Sequence, residues 1–246
     1  MRFLLLLLVL CSPFAAASPN PAPLLQQSEQ LLFVFTPNWK SIQGQLQLYQ
    51  RAKPTLAWKK VGNPKSVVIG QQGMGWDLAF AKQQWPGPLK TEGDYRTPAG
   101  IFKLGPAFGF AKTPDATLKL GYIPLTKTTV CVDDGRSHYY NQLLDAARIP
   151  TPDWTSSEAM RNVPFYNRGA VIQYNREPRV AGSGSCIFLH RWRDRRHGTA
   201  GCVAMDEKQL RSLLNALHPQ QKPVLVILSA PAYAVVKKQW NLPPLA

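Results

Sequence analysis

The chain has 246 residues, an ordinary hydrophobic share of 45% and a net charge of +15. That length fits one substantial domain and excludes two large ones. The positive charge favours polyanions such as nucleic acid, anionic lipid head groups or carboxylate-rich surfaces, although it also serves solubility alone. The chain lacks the base-stacking aromatic pattern and the amphipathic helix of nucleic-acid and lipid-surface binders, so we expect no nucleic-acid partner.

Residues 1–17 have the form of a secretory signal peptide. An apolar run follows Arg2 and ends in small residues, which predicts cleavage near Ala17. The run is too short to cross a bilayer and no later run is long enough, so we expect no transmembrane segment. The residue before Cys11 is not small, which argues against lipid attachment. We therefore predict a secreted or periplasmic protein with a mobile leader at residues 18–30.

Short apolar or alternating runs, separated by turn-forming residues, predict strands along most of the chain. In chain order the predicted strands lie at residues 31–35, 45–50, 58–61, 67–69, 101–104, 170–174, 187–189 and 224–228. The pair Asn63-Pro64 predicts a turn between the third and fourth of these strands. The last run is continuously apolar, as in a central strand that completes a core. We predict a peripheral tail at residues 231–246.

Two helices are predicted beside these strands. Residues 142–148 favour a short helix that ends before Pro150. Asp206 can cap a second helix, with Gln209 at the capping-box position. Its apolar face is formed by Leu210, Leu213, Leu214 and Leu217. Strands outnumber helices, so we predict a mainly β, single-domain sandwich or barrel-like fold with one or two packed helices.

The segment from 182 to 205 contains the candidate catalytic residues. A predicted strand delivers His190, and Cys202 follows only twelve positions later. A thiol becomes a strong nucleophile as the thiolate, and a nearby imidazole can accept its proton. Gly201 lets backbone N–H groups point at a developing oxyanion. The alternative is structural, because free cysteines are among the most buried residues and a histidine at a strand end is often a core group.

The run Thr199-Ala200-Gly201-Cys202, preceded by His190, resembles the catalytic signature of L,D-transpeptidases with a YkuD-type domain. That family usually has a second His where this chain has Ala200, and Arg or Asn where it has Ala204. The same departures occur in a branch whose signature ends in Thr-Ala-Gly-Cys-Val-Ala. Two further stretches resemble that branch, at residues 90–102 and 130–141. Asp133 and Asp134 lie in the second stretch, where hydrogen bonding is a better interpretation than metal binding.

The resemblance implies a YkuD-type fold over residues 31–230, a β-sandwich with the cysteine on a loop inside a groove. It implies that Cys202 is the nucleophile and His190 the general base and acid, with backbone N–H groups of Ala200, Gly201 and Cys202 stabilising the oxyanion. The implied substrates are peptidoglycan stem peptides, and no cofactor or metal is expected. The alternative function is a non-catalytic cell-wall-binding protein that retains the fold.

Two interpretations stay open for the basic loop and for the remaining cysteines. Arg191, Trp192 and Arg193, with Thr199, are candidate substrate-binding residues, although the loop fits a solvated surface equally well. Signal-peptide cleavage would leave three cysteines. If Cys202 is the nucleophile, Cys131 and Cys186 form a disulfide in an oxidising compartment or remain two separate buried thiols.

Overall fold

The computed structural model describes residues 22–245. Its strands are β1 (Gln30–Thr36), β2 (Gln43–Gln50), β3 (Lys59–Val68), β4 (Met74–Trp76), β5 (Thr97–Gly109), β6 (Tyr122–Pro124), β7 (Thr129–Val132), β8 (Leu143–Asp145), β9 (Ser157–Ala159), β10 (Arg168–Ile172), β11 (Phe188–Arg191), β12 (Val203–Met205) and β13 (Val224–Ser229). The α-helices are α1 (Ala22–Gln27), α2 (Glu207–Asn215) and α3 (Ala230–Val236). Short 3₁₀ helices of one or two turns lie at Leu78–Gln83, Ala146–Arg148, Met160–Asn162, Pro164–Asn167 and Pro219–Gln221. The predicted signal peptide lies outside the described residues.

Eight strands close into a barrel in the order β5, β10, β11, β12, β3, β2, β1 and β13. Closure follows because β5 pairs with β13 along one edge and with β10 along the other. Outside the barrel, the short strands β4 and β6 each pair in parallel with β5. The predicted mainly β, single-domain fold is confirmed, and its form is the barrel.

The barrel interior holds the main hydrophobic core. The predicted central strand is β13, which runs parallel to β1 and antiparallel to β5. All six of its residues are buried, which explains its uninterrupted apolar sequence. On β11 and β12 the side chains alternate between two faces. Leu189 and Val203 point into the barrel core, whereas Phe188 and Cys202 belong to a second apolar cluster outside it.

A separate layer covers this outer cluster. It consists of a three-stranded sheet in the order β8, β7, β9, followed by the turns Met160–Asn162 and Pro164–Asn167. We call residues 129–167 the covering segment. Met160 and Tyr166 from this segment pack in the same cluster as Phe188 and Cys202. The covering segment therefore lies over the part of the barrel that carries the candidate cysteine.

Helix α2 forms where predicted, but the predicted capping box is not completed, because the Gln209 side-chain oxygen has no hydrogen-bond partner among the described residues. The Asp206 carboxylate accepts hydrogen bonds from the backbone N–H groups of Lys208 and Gln209. Leu210, Leu213 and Leu214 are buried, and Leu217 continues the face just beyond the helix. The helix contacts β10 and β11, so its apolar stripe is the reason it packs on the barrel.

The turn predicted at Asn63-Pro64 is wrong, because β3 continues through it. Leu46 pairs with Lys65 whereas Leu48 pairs with Val61, so a bulge absorbs the extra residues. The Gln47 side chain donates to the carbonyls of Val61 and Gly62 inside this bulge. A proline without an N–H is tolerated at such an irregularity.

The helix predicted at 142–148 is also wrong, since β8 and a single 3₁₀ turn occupy that stretch. Asn141 has a positive φ of 57°, which is incompatible with entry into a right-handed helix. Leu143 then pairs with Cys131 of β7. Tertiary pairing therefore overrides the local helical preference.

Both chain ends pack more closely than predicted. In the expected leader, α1 buries Leu25 in the main core. In the expected tail, α3 packs on β13, and Trp240 is buried against the rings of Trp76 and Phe80. The described residues of the predicted leader and tail therefore include side chains that pack against the barrel.

Candidate active site

His190 lies on β11, and Cys202 directly precedes the adjacent parallel strand β12. Leu189 is in register with Val203 and His190 with Ala204, so Cys202 sits directly before β12. The two functional side chains face outward from the barrel, beneath the covering segment. Each residue is only 6% exposed. The twelve positions between His190 and Cys202 are therefore enough for the chain to run from β11 back to the start of the neighbouring strand β12.

The Cys202 sulfur is held by backbone groups. The Phe188 N–H donates to Sγ at 3.3 Å, and Sγ lies 3.5 Å from the Cys186 carbonyl oxygen, to which a thiol can donate. Within residues 22–245 no hydrogen bond joins Sγ to the His190 ring. Burial, together with the charge of Glu158, raises the pKa of the Cys202 thiol to about 12. The buried site therefore holds a protonated thiol.

The tautomer of His190 follows from its hydrogen bond. Nδ1 lies 2.7 Å from the Arg191 carbonyl oxygen, which can only accept, so Nδ1 carries the proton. Nε2 is then unprotonated and is the nitrogen able to accept one. Burial lowers the pKa of His190 to about 4, although its bond to the Arg191 carbonyl opposes the shift. At neutral pH the ring is an uncharged base.

Thr199 and Gly201 shape the turn that presents Cys202. Gly201 has a positive φ of 149°, and a Cβ there would lie 3.1 Å from both the Arg96 carbonyl oxygen and Ile187 Cδ1. The Gly201 N–H donates to Thr199 Oγ1 at 3.1 Å, and that hydroxyl donates to the Cys202 carbonyl at 2.6 Å. Of the three N–H groups predicted to form the oxyanion site, that of Gly201 is thus already bonded within the turn.

The predicted substrate-binding residues lie in different environments. Arg191 donates to Asn167 Oδ1 at 3.1 Å and to the Pro164 carbonyl at 2.9 Å, so it binds the covering segment. Trp192 is half-buried, and the Arg195 guanidinium lies 5.8 Å from its ring centre. Arg193 is exposed, and Thr199 supports the cysteine turn.

The other two stretches singled out in the sequence support the same region. The Tyr140 hydroxyl donates to Glu92 at 2.5 Å, which joins residues 90–102 to residues 130–141. Asn141 Oδ1 accepts from the Cys186 N–H at 2.9 Å, next to the carbonyl that faces the Cys202 thiol. From the first stretch, Thr97 Oγ1 donates to the Cys202 carbonyl at 3.3 Å.

The paired aspartates of residues 130–141 differ in their surroundings. Asp134 accepts hydrogen bonds from Thr155 and Arg136, and these hold the pKa of its carboxyl well below the usual range. Asp133 Oδ1 is buried without a hydrogen-bond partner among the described residues. Across residues 22–245 no three His, Cys, Asp or Glu side chains are grouped as metal ligands would be.

A disulfide joins Cys131 of β7 to Cys186, which precedes β11. It links the covering segment covalently to the barrel strand that carries His190. Cys202 is the free cysteine of the described chain. This arrangement corresponds to the disulfide alternative of the two that the sequence left open.

Two residues of the covering segment were missed by sequence reasoning. The Tyr166 hydroxyl donates to both carboxylate oxygens of Glu158, at 3.0 and 3.1 Å. Burial raises the pKa of Glu158 to about 7, a shift that the Tyr166 bond opposes and the Asp133 charge reinforces. The residues around Glu158 have no periodicity, and no motif singles out either side chain. Only the folded structure brings them to Cys202.

Comparison with known proteins places these observations in a family. The model of the YkuD family, described as the L,D-transpeptidase catalytic domain, matches residues 40–226. No curated protein and no solved structure matches the chain. None of the helices between residues 22 and 245 is long and apolar enough to cross a membrane. Because the family match spans most of the sequence, the chain belongs to the YkuD family of L,D-transpeptidase catalytic domains.

Proposed function

We propose that this protein is an exported, cysteine-dependent L,D-transpeptidase that acts on peptidoglycan stem peptides. The observation that carries the proposal is the placement of His190 on β11 and of Cys202 directly before the adjacent strand β12, with His190 Nδ1 committed to the Arg191 carbonyl. That bond leaves Nε2 as the proton acceptor, as a general base requires.

Acylation would begin when Nε2 takes the Cys202 proton. The thiolate then attacks the carbonyl between the L-centre of the diamino acid at stem position three and the D-Ala that follows. Backbone N–H groups around residues 200–202 would stabilise the oxyanion, and losing one such donor costs about 10²–10³ in rate at acyl-transfer sites. Because the Gly201 N–H is bonded to Thr199, those of Ala200 and Cys202 are the remaining predicted donors.

Collapse of the tetrahedral intermediate would break the peptide bond. The imidazolium returns its proton to the leaving amine of D-Ala, and the diamino acid remains bound to Cys202 as a thioester. An amine from a second stem would complete a cross-link, whereas water would give L,D-carboxypeptidase activity. Arg193 is an exposed cation near the end of β11 and is available for stem carboxylates, while Arg191 is occupied by the covering segment.

Export is part of the proposal. The signal-like sequence of residues 1–17 and the Cys131–Cys186 disulfide both favour a secreted or periplasmic location, because disulfides persist in oxidising compartments. The positive net charge suits a surface rich in carboxylates. A fractionation experiment tests this part, since the mature protein should be found outside the cytoplasm with its N-terminus at residue 18.

The decisive experiment is mass spectrometry of the mature protein incubated with tetrapeptide muropeptides that contain a diamino acid. We expect release of D-Ala and an acyl adduct on Cys202, and neither with Cys202→Ala. Product masses would separate cross-linking from trimming. An adduct that persists in Cys202→Ala, or turnover by that variant, would contradict the assignment.

A non-catalytic cell-wall-binding protein is the second candidate, favoured by a specific observation. Cys202 is a buried thiol with a raised pKa, and it is not hydrogen-bonded to His190. If the folded protein sediments with peptidoglycan but forms no adduct, this second function is the better one. Ala200 and Ala204 would then be the first positions to substitute.

A further inference from the structure

Residues 30–76 differ from the rest of the chain in their charge. They contain six cationic side chains and no aspartate or glutamate, although the whole chain has 14 acidic residues. The six cations are Lys40, Arg51, Lys53, Lys59, Lys60 and Lys65. Arg51 is engaged within the fold, because it donates to the Ser28 carbonyl at 2.8 Å and its guanidinium lies 4.0 Å from the centre of the Trp58 ring. The positive charge of this stretch is therefore not balanced by acidic residues of its own.

Strand β3 brings three of these lysines to a free edge of the barrel sheet. Among residues 22–245, β3 pairs with β2 from one end to the other, but it pairs with β12 at just its last two residues. Residues 59–66 therefore have one strand neighbour instead of two. Lys59 and Lys60 are exposed, and Lys65 is partly exposed.

The end of this edge adjoins the loop that follows β11. The Gln43 side chain donates to the Arg195 carbonyl of that loop at 3.0 Å, and Gln43 is in register with Val68 at the end of β3. Val68 is in turn in register with Ala204, two positions after Cys202. The free edge of β3 therefore leads towards the candidate active site.

The loop continues the row of cations. Its exposed arginines are Arg193, Arg195 and Arg196. Asp194, the acidic residue between them, accepts from the Arg196 N–H at 2.7 Å and lies 2.7 Å from His197 Nδ1. We call residues 59–66 and 193–196 the basic track. The ten residues of β3 span about 30 Å at the usual rise of a strand, so the basic track is long and narrow.

We propose that the basic track binds a peptidoglycan strand beside the active site, through the carboxylates of successive stem peptides. This inference rests on the proposed function, for which it names the surface that holds the polymer. A linear polymer with carboxylates at intervals matches a linear row of cations on flexible side chains. While one stem reaches Cys202, neighbouring stems would lie along β3.

Protection of the sheet edge is the structural alternative. Lysine and proline on an edge strand discourage pairing with another chain, and β3 carries both, at Lys65 and Pro64. Protection accounts for the lysines of the strand, but it requires neither the arginines of residues 193–196 nor the absence of acidic residues from 30–76. The continuity of positive charge from the strand into the loop favours an anionic partner.

The test compares two triple variants of the mature protein that remove the same charge. The track variant is Lys59→Gln/Lys60→Gln/Lys65→Gln. The control variant is Lys112→Gln/Lys119→Gln/Lys127→Gln, which changes three exposed lysines between β5 and β7. All proteins, including the parent, carry Cys202→Ala, so that acylation does not contribute to binding. Thermal unfolding first establishes that each is folded.

Binding is measured by sedimentation with purified peptidoglycan sacculi. We expect the parent and the control variant to bind alike and the track variant to bind about tenfold more weakly, because it loses three exposed charge pairs. The difference should shrink as salt is raised from about 50 to about 300 mM, since exposed charges are screened. Sacculi with amidated carboxylates should bind the parent more weakly and leave the track variant unaffected.

Equal binding by the track and control variants would overturn the proposal, as would a parent that does not bind sacculi. A track variant that aggregates but binds as the control does would identify the lysines as edge protection. Anionic phospholipid vesicles are the competing probe. If the substitutions weaken sedimentation with vesicles but not with sacculi, the track binds a lipid surface and the proposal is wrong.

Failure of this inference is distinguishable from failure of the proposed function. The sedimentation assay needs no catalysis, so it decides the role of the track even if the protein with Cys202 intact releases no D-Ala. Where D-Ala is released, the same lysine substitutions should raise KM for sacculi relative to that of the control variant. Equal KM values in the two variants would show that the track does not hold the substrate polymer.

Discussion

The disulfide between Cys131 and Cys186 gives the sharpest stability prediction. The two cysteines are 55 positions apart. In the chain-entropy description, cross-linking a loop of that length contributes about 4 kcal/mol to the free energy of unfolding, because it restricts the unfolded chain. Reduction without substitution tests this value without changing side-chain volume. Cys202→Ala is the appropriate background, since it removes the free thiol that would otherwise exchange with the disulfide.

Urea denaturation followed by tryptophan fluorescence would compare oxidised and reduced Cys202→Ala protein. We expect the reduced form to lose about 4 kcal/mol and to unfold with a larger denaturant dependence, because its unfolded state is more extended. The double variant Cys131→Ala/Cys186→Ala should lose at least as much. A loss below about 1 kcal/mol would refute the reasoning and show that the disulfide restricts the unfolded chain little.

Three further predictions concern the turn, the histidine and the covering segment. Gly201→Ala should cost about 1–3 kcal/mol in urea denaturation, because φ is positive and its Cβ would be crowded, whereas Gly121→Ala, where the nearest atom is 3.7 Å away, should be almost neutral. His190 binds its proton more weakly in the folded state, with a pKa of about 4 against 6.5, so wild-type stability should fall by up to about 3 kcal/mol as pH drops from 6.5 to 4. The difference in stability between wild type and His190→Gln should change by that amount over the same range, and a constant difference would contradict the depressed pKa. Arg191→Ala should cost about 1 kcal/mol through its lost bonds to the covering segment, whereas Arg193→Ala should be neutral in the same measurement.

Most of the barrel could be predicted from local patterns. The alternating run at 45–50 lies in β2, and the continuous apolar run at 224–228 is β13, which is buried throughout. The alternation did not show that Gln47 is also buried, where its amide bonds to the carbonyls of the β3 bulge. Helix α2 carries both a cap and an apolar stripe, so its position was fixed by two independent signals. Strand closure between β5 and β10 has no local signal, which is why sandwich and barrel remained open alternatives.

The covering segment could not be predicted, for a physical reason. Its strands are only three or four residues long and are stabilised by pairing and by the disulfide, whereas the turn Pro164–Asn167 contacts β11. Strands of this length are too short to show the alternation of apolar and polar residues by which a strand is predicted. The same reason hid Tyr166, which folding brings into the apolar cluster of Cys202, and its hydrogen-bond partner Glu158. Trp240 was missed in a similar way, because a single aromatic residue in a tail gives no sign of the ring cluster it joins.

Access to the buried thiol requires part of the covering segment to move, and the contacts indicate which part. The disulfide fixes β7 covalently beside Cys186, whereas Pro164–Asn167 is held to β11 by hydrogen bonds from Arg191. Opening at Pro164–Asn167 therefore breaks noncovalent contacts alone. These are the Arg191 hydrogen bonds, at about 1 kcal/mol each, and the packing of the buried Tyr166 ring on Phe188 and His190. If Arg191→Ala weakens the closed state by about 1 kcal/mol, the open population should increase about fivefold. Iodoacetamide should then modify Cys202 about fivefold faster in Arg191→Ala than in Arg193→Ala at the same pH, because the intrinsic thiol is unchanged and only its exposure differs. Equal rates in the two variants would place the moving part of the segment away from Arg191.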